Sequence, residues 1–231
     1  MMGVEIVSCL RSDDESVFTV TFENGEILDF TAEEAFEYGL YREGERIDNL
    51  ESLCTVILAK RMMAFVASYV LFSMKTVNQV KVKLGEYFKK KEQEEAWMVF
   101  SESATEEAIR RLKESEYIND EVYALRYVNT ALKGKPISKV SLLNDLVYKK
   151  GIDKDLAQKT VEEVYAEQET ISDSENAYRL LKKKIGNSVV SSEDSYGNKE
   201  SAKLIRFAMS KGFSYGDVEN ALQRIREENS I

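Results

Sequence analysis

Ile118-Asn119-Asp120, followed by Ala124 and Arg126, returns 53 positions later as Ile171-Ser172-Asp173, followed by Ala177 and Arg179. A second echo runs in step with the first, joining Lys150-Gly151-Ile152-Asp153 to Lys211-Gly212-Phe213-Ser214. Interlocked echoes of this kind mark a tandem array, in which each unit is one small helical piece that buries its apolar face against the next. The residue types indicate what is being repeated. Asp120 and Asp173 read as helix N-caps, where a carboxylate accepts the free amide hydrogens of a new first turn. Gly151 and Gly212 read as helix stops, because glycine enters the left-handed conformation without a Cβ clash. The repeat thus falls on structural joints.

Working outward, the flanking apolar residues recur at helical spacing. After Asp120 come Val122, Tyr123, Ala124, Tyr127 and Val128; Gly134 and Pro136 then break the helix. Leu142, Leu143, Leu146 and Val147 line a second helix, and Leu156, Thr160, Val161 and Val164 a third. After Asp173 come Ala177, Tyr178, Leu180, Leu181 and Ile185, then a turn-rich stretch at 186–198, then Leu204, Phe207, Ala208, Val218, Leu222 and Ile225. Upstream, Leu53, Val56, Ile57 and the run Met63–Met74 predict a long buried helix. A second helix is expected after the 73–78 junction, with Val77, Val80 and Leu84 inward, and a third from about Thr105 to Glu116. The N-terminus reads differently. Phe18, Val20 and Phe22 alternate, Asn24-Gly25 turns the chain, and Ile27, Leu28 and Phe30 return, a hairpin to which Val4–Leu10 adds a third strand. Thr31-Ala32-Glu33-Glu34 has the form of a capping box, opening a short helix that Gly39 ends.

The expected fold is therefore mostly α: three tandem three-helix units behind a small N-terminal β element. The β element with its short helix is assigned to 1–48, the units to 49–118, 119–171 and 172–231, the last interrupted by the loop insertion 186–198.

Composition narrows the chemistry. The 231 residues contain no histidine, which removes Ser-His-Asp and Cys-His pairs, the usual zinc ligands and the commonest neutral-pH general base. Cys9 and Cys54 are isolated thiols without C-x-x-C spacing, as in a reducing compartment. No phosphate-cradling glycine loop and no H-E-x-x-H occurs. The chain reads as a non-enzyme with no catalytic residues, cofactor or metal. Met1-Met2-Gly3-Val4-Glu5 lacks the basic and apolar regions of a signal peptide, and the apolar run ending at Met74 is shorter than the roughly 20 residues that span a bilayer. The expectation is a cytoplasmic monomer with no membrane contact.

Charge is unevenly placed. Residues 1–58 carry 14 acidic and 3 basic side chains, enough to account for the formal net charge of −9. This acidic part could keep the chain soluble or imitate the surface of DNA. Residues 60–91, in contrast, hold Lys60, Arg61, Lys75, Lys81, Lys83, Lys89, Lys90 and Lys91 against Glu86 alone.

Three stretches resemble the RecX family, bacterial regulators of the RecA recombinase. Ala67-Ser68-Tyr69-Val70-Leu71 with Met74-Lys75-Thr76, Val80 and Leu84 is similar to the family's opening helix, basic turn and second helix. Tyr117-Ile118-Asn119-Asp120, Tyr123-Ala124, Tyr127-Val128, Lys133-Gly134, Leu142, Leu146 and Lys150-Gly151-Ile152 track its central unit. Lys211-Gly212-Phe213-Ser214-Tyr215 with Val218, Ala221 and Leu222 is like its closing unit, and Gly39-Leu40-Tyr41-Arg42-Glu43-Gly44-Glu45 resembles an extension of Gram-positive members. The resemblance implies a helical-repeat protein that lodges in the groove of a RecA filament on single-stranded DNA and modulates, in the inhibitory direction, recombination in DNA repair and the SOS response. The sequence departs from the family at Lys75, where an arginine is usual; lysine lacks the bidentate fork for phosphate.

With that partner in view, the residues expected to meet the filament or its single-stranded DNA form a basic face: Lys75, Lys81, Lys83, Lys89, Lys90, Lys91, Arg126, Lys133, Lys135 and Lys139. Tyr69, Tyr123, Tyr127 and Tyr178 are read as core residues with wet hydroxyls, not base-stacking platforms. Two other readings compete: a helix-turn-helix DNA-binding regulator, with one unit presenting a recognition helix, and a generic helical interaction scaffold.

Overall fold

The computed structural model describes residues 3–13, 15–90, 92–167, 172–186 and 195–229. It divides into two compact units, Met1–Ile118 and Asn119–Ile231.

In the first unit, β1 (Val4–Arg11), β2 (Val17–Phe22) and β3 (Ile27–Thr31) form an antiparallel sheet, ordered β3-β2-β1-β4 once the two-residue β4 (Arg46–Ile47) pairs with β1. Phe18, Val20, Phe22, Leu28 and Phe30 point into the core, as the alternation demands, while Ile27 faces out. The hairpin closes through a three-residue loop. Gly25 N–H bonds the Phe22 carbonyl, Phe22 N–H bonds that of Glu26, and Gly25 takes φ +86°, the type I turn plus glycine bulge that suits right-twisted strands. Thr31 and Glu34 exchange capping-box hydrogen bonds at the start of α1 (Ala32–Tyr38), and Gly39 ends it at φ +71°.

Behind the sheet runs α2 (Leu50–Phe72), capped by Asn49. Its length and hydropathy would suit a membrane span. Here Cys54, Ile57, Leu58, Met62 and Val66 are instead buried in one core with Val20, Phe22, Phe30 and Leu40 of the sheet region. Then follow α3 (Val77–Leu84), with a Thr76–Gln79 capping box, α4 (Tyr87–Lys90), a 3-10 segment (Glu92–Phe100) and α5 (Ser101–Glu114). The 3-10 segment was not legible as a helix. It supplies Trp97, fully buried, with its ring edge-on to Phe30 at 5.2 Å and the Arg61 guanidinium 4.3 Å from the ring centroid. Arg61 also grips both oxygens of Glu34 at 2.8 and 2.6 Å, tying α2 to α1.

The second unit holds two apolar clusters. One gathers Ala124, Val128 and Leu132 of α6 (Asp120–Lys133), Leu142 of α7 (Lys139–Asn144), Leu146 of the π-helical turn that continues it (Asp145–Lys149), and Ala157, Val161 and Val164 of α8 (Lys154–Glu167). The other gathers Ala177 and Leu181 of α9 (Asp173–Ile185), Ala208 of α10 (Ser195–Met209), and Val218, Leu222 and Ile225 of α11 (Tyr215–Asn229). Of the expected insertion 186–198, residues 187–194 lie outside the described ones, as does Ile171. Its end was misplaced, since α10 already begins at Ser195. Gly197 and Asn198 read as turn formers, but such propensities are weak and sit within reach of tertiary override.

The repeated joints need one correction. The N-caps are Asn119, whose Oδ1 accepts from Val122 N–H at 3.1 Å, and Ser172, whose Oγ accepts from Glu175 N–H at 3.1 Å. Asp120 and Asp173 are the first residues inside their helices. Asparagine and serine rank with aspartate as caps, so the extended residue one step earlier takes the role and the carboxylate is left to complement the helix dipole. At the other joints, Gly151 and Gly212 lie at φ +67° and +85°. In each, the following N–H reaches back to close the helix: Ile152 to the Leu146 carbonyl at 3.0 Å and Phe213 to that of Ala208 at 3.3 Å. Both Ile152 and Phe213 are buried.

Candidate functional site

The expected basic residues divide between the two units. In the first, α3 follows α2 so closely that Lys75 and Lys83 converge on one ring. Lys75 Nζ lies 4.5 Å from the Tyr69 centroid and bonds Ser73 Oγ; Lys83 Nζ lies 5.9 Å from the same centroid and 5.6 Å from that of Phe65. Lys83 is also paired with Glu86 at 2.6 Å. Lys81 and Lys89 are exposed, and neither has an ion-pair partner among the described residues. Lys91 lies outside those residues, and so does the side chain of Lys90. Leu71, Phe72 and Val82, on the same two helices, are exposed apolar residues.

In the second unit, Arg126 and Lys133 are exposed on α6. Lys139 opens α7 with its Nζ 4.6 Å from the Tyr165 centroid, while its N–H donates to Asp173 at 3.0 Å. Asp173 additionally accepts from Tyr165 Oη at 3.2 Å. Burial pushes its carboxyl above the usual range, against the lowering effect of those hydrogen bonds. Asp173 therefore joins the two apolar clusters. A second link lies nearby: Ser138 and Ser141 hydroxyls both donate to the Lys211 carbonyl, at 2.8 and 2.7 Å. A Cβ on Gly212 would meet Ser138 Oγ at 2.6 Å, so glycine is required there for space as well as for φ.

Lys135 has different company. With Gly134 and Pro136 it lines an open cleft of about 390 Å³ whose other walls are Tyr178, Arg179, Lys182 and Lys183 of α9. The last three cations were not among the expected binding residues, Arg179 having figured only in the repeat, although Arg179, Lys182 and Lys183 stand at i, i+3 and i+4 on one helix face. Lys182 is held at 2.8 Å by Glu228 and at 2.5 Å by the Tyr178 hydroxyl.

The tyrosines are structural in their contacts. Tyr178 is buried and donates to Glu228; Tyr123 and Tyr127 stack on each other, with Tyr127 Oη on Asp145 at 2.9 Å. Burial and the Asp145 charge push the Tyr127 hydroxyl up to about 12. Burial likewise raises the Cys54 thiol to about 12, with Glu26 adding to it, and raises Cys9 with help from Glu43, so both remain thiols near neutral pH. What the arrangement offers is cationic and apolar surface for binding.

No family model matches the chain. It is similar to the regulatory protein RecX of Clostridium botulinum (strain Alaska E43 / Type E3), 32% identical over 124 residues, 54% of each chain. It is similar also to the regulatory protein RecX of Bacillus cytotoxicus (strain DSM 22905 / CIP 110041 / 391-98 / NVH 391-98), 28% identical over 88% of this chain and 69% of that one. The chain spans about half the length of the first curated relatives it matches. Among solved structures, a crystal structure of RecX from Lactobacillus salivarius aligns at TM-score 0.55 and 26% identity, covering 73% of this chain and 96% of that one. A crystal structure of a regulatory protein RecX shares the fold at TM-score 0.58, with 17% identity, 94% of this chain and 97% of that one.

Proposed function

We propose that this chain is a regulatory protein of the RecX kind, which binds the RecA recombinase filament on single-stranded DNA and restrains it, as a cytoplasmic monomer without chemistry of its own. The role it would serve is the control of recombination in DNA repair and the SOS response.

The observation that carries the reading is the sequence likeness to proteins named RecX, which in one relative extends over 88% of the chain and is joined by likeness of fold. The architecture supports it. Two apolar clusters in series along the second unit, each with its own three helices, suit a protein that follows a polymer by repeated weak contacts, where avidity supplies what single contacts lack. Lys81, Lys89, Arg126 and Lys133 offer exposed charge for such contacts, and Phe72, at 90% exposure, offers an apolar one.

The test is RecA-catalysed strand exchange with the chain titrated in. Exchange should slow at ratios well below one chain per RecA protomer, because one molecule bound along a filament affects several protomers. Exchange that is unaffected at equimolar chain would refute the proposal.

A further inference from the structure

Of residues 95–99 in the 3-10 segment, only Trp97 is buried; Met98 and Val99 beside it are 52% and 76% exposed. The following helix, α5, by contrast buries Ala104, Ala108, Ile109 and Leu112. A single indole therefore pegs the segment to the core. Its ring meets Phe30 of β3 at 5.2 Å, the Arg61 guanidinium of α2 at 4.3 Å and Phe100 at 6.1 Å. Two features weaken this seat. The 3-10 hydrogen bond has poorer geometry than the α-helical one, and runs beyond about four residues are uncommon, whereas this segment is nine residues long. The buried indole N–H, moreover, has no acceptor among the described residues, so its removal from water is uncompensated.

Beneath the segment lies the outer edge of the sheet. β3 stands at the end of the order β3-β2-β1-β4, so one side of it faces no strand. An edge of this kind presents main-chain groups to which another chain can add. Here side chains take the place of a strand. The Asp29 carbonyl accepts from Arg61 Nη2 at 3.0 Å, and the Thr31 N–H donates to Glu34 Oε2 at 2.9 Å. Trp97 lies on that same Arg61, and the 3-10 segment packs against β3. The edge is thus closed by one ion pair and one ring, groups that can leave without unpairing the sheet.

We propose that Glu92–Phe100 is a releasable strap over the outer edge of β3, pegged by Trp97, and that it opens while α2, α5 and the sheet stay folded. Local opening is the property of segments with few buried apolar contacts, and this one has a single deep contact ahead of Phe100. Withdrawing the indole breaks its contacts with Phe30 and Arg61 and returns the enclosed N–H to water. Opening then uncovers the Phe30 ring and the β3 edge together. The device stands apart from the filament reading, since it concerns access to a sheet edge within the first unit.

Trp97 is the only tryptophan in the chain, so tryptophan fluorescence reports the peg alone. In rising urea, the emission of the full chain should shift to the red and become open to acrylamide quenching while far-UV circular dichroism is still unchanged. Hydrogen exchange under the same conditions, read by mass spectrometry, should be at least about tenfold faster in peptides from 92–100 than in those from α2 and α5. Peptides from β3 should follow the strap ahead of those from β2. Trp97→Ala should keep the native far-UV spectrum and bring β3 to fast exchange without urea. Fluorescence and circular-dichroism transitions that coincide, with strap and helices exchanging in step, would overturn the proposal. A fast strap over a β3 no faster than β2 would overturn the masking of the edge. A Trp97→Ala chain without a native spectrum would make the indole part of the common core, and the strap would fall with it.

Discussion

Asn119 and Asp120 are adjacent, and one peptide of displacement gives them different work. Asn119 is extended and its side chain closes the first turn; Asp120 is the first residue of the helix itself. Replacing Asn119 with alanine should cost about 1 kcal/mol of stability, measured by urea unfolding. In the corresponding repeat, the cap and the carboxylate are again separate, but Asp173 also binds Lys139 N–H and Tyr165 Oη. Asp173→Ala should therefore cost more than Asn119→Ala, since two hydrogen bonds between apolar clusters go with it. A smaller loss at Asp173 would mean those bonds contribute nothing. The repeat was visible because its residue types are all terminators and starters of helices. Which of two neighbouring polar residues caps was not visible, because asparagine, serine and aspartate are near-equal in that role and only the backbone angles choose.

At the scale of elements, the Arg61–Glu34 pair joins α2 to α1 with both side chains 14% exposed. Burial alone would raise the Glu34 carboxyl, but the Arg61 hydrogen bonds and charge outweigh it and hold it below the usual carboxylate range. A depressed folded-state value means the pair's contribution is complete above the ordinary carboxylate pKa and disappears as pH falls through the folded value. Stability should thus be flat in this respect from neutral pH to about 5 and decline below about 4, and Glu34→Gln should flatten that decline. Arg61→Ala should cost about 3 kcal/mol at neutral pH, because it leaves a carboxylate mostly buried without its partner. A Glu34→Gln melt with the same acid dependence as the parent would contradict the assignment. Elements with strong periodicity were legible: the hairpin from Phe18 to Phe30 and the apolar stretch of α2. The two-residue β4 and the 3-10 segment carrying Trp97 were not, because neither is long enough or regular enough to leave a period. The cationic cleft escaped for a related reason. Lys135 and Arg179 are distant in the chain, and only the fold brings a turn and a helix face together.

For the molecule as a whole, fold class was written in the order of strands, caps and glycines, and the basic segment between Lys60 and Lys91 drew attention by charge alone. Its lysines turned out to be unequal. Lys75 and Lys83 are occupied by rings and neighbours, while Lys81 and Lys89 face solvent. A linear charge count cannot see which lysines lie down on aromatic faces. Binding to a helical polymer is accordingly expected to be spread over many exposed residues in place of one dominant patch, and no single substitution should abolish it. The most direct measurement is co-sedimentation with RecA filaments preformed on single-stranded DNA, with the naked strand as control. At chain concentrations too low for retention by the naked strand, the chain should pellet with the filaments; recovery in the supernatant with both would contradict the account.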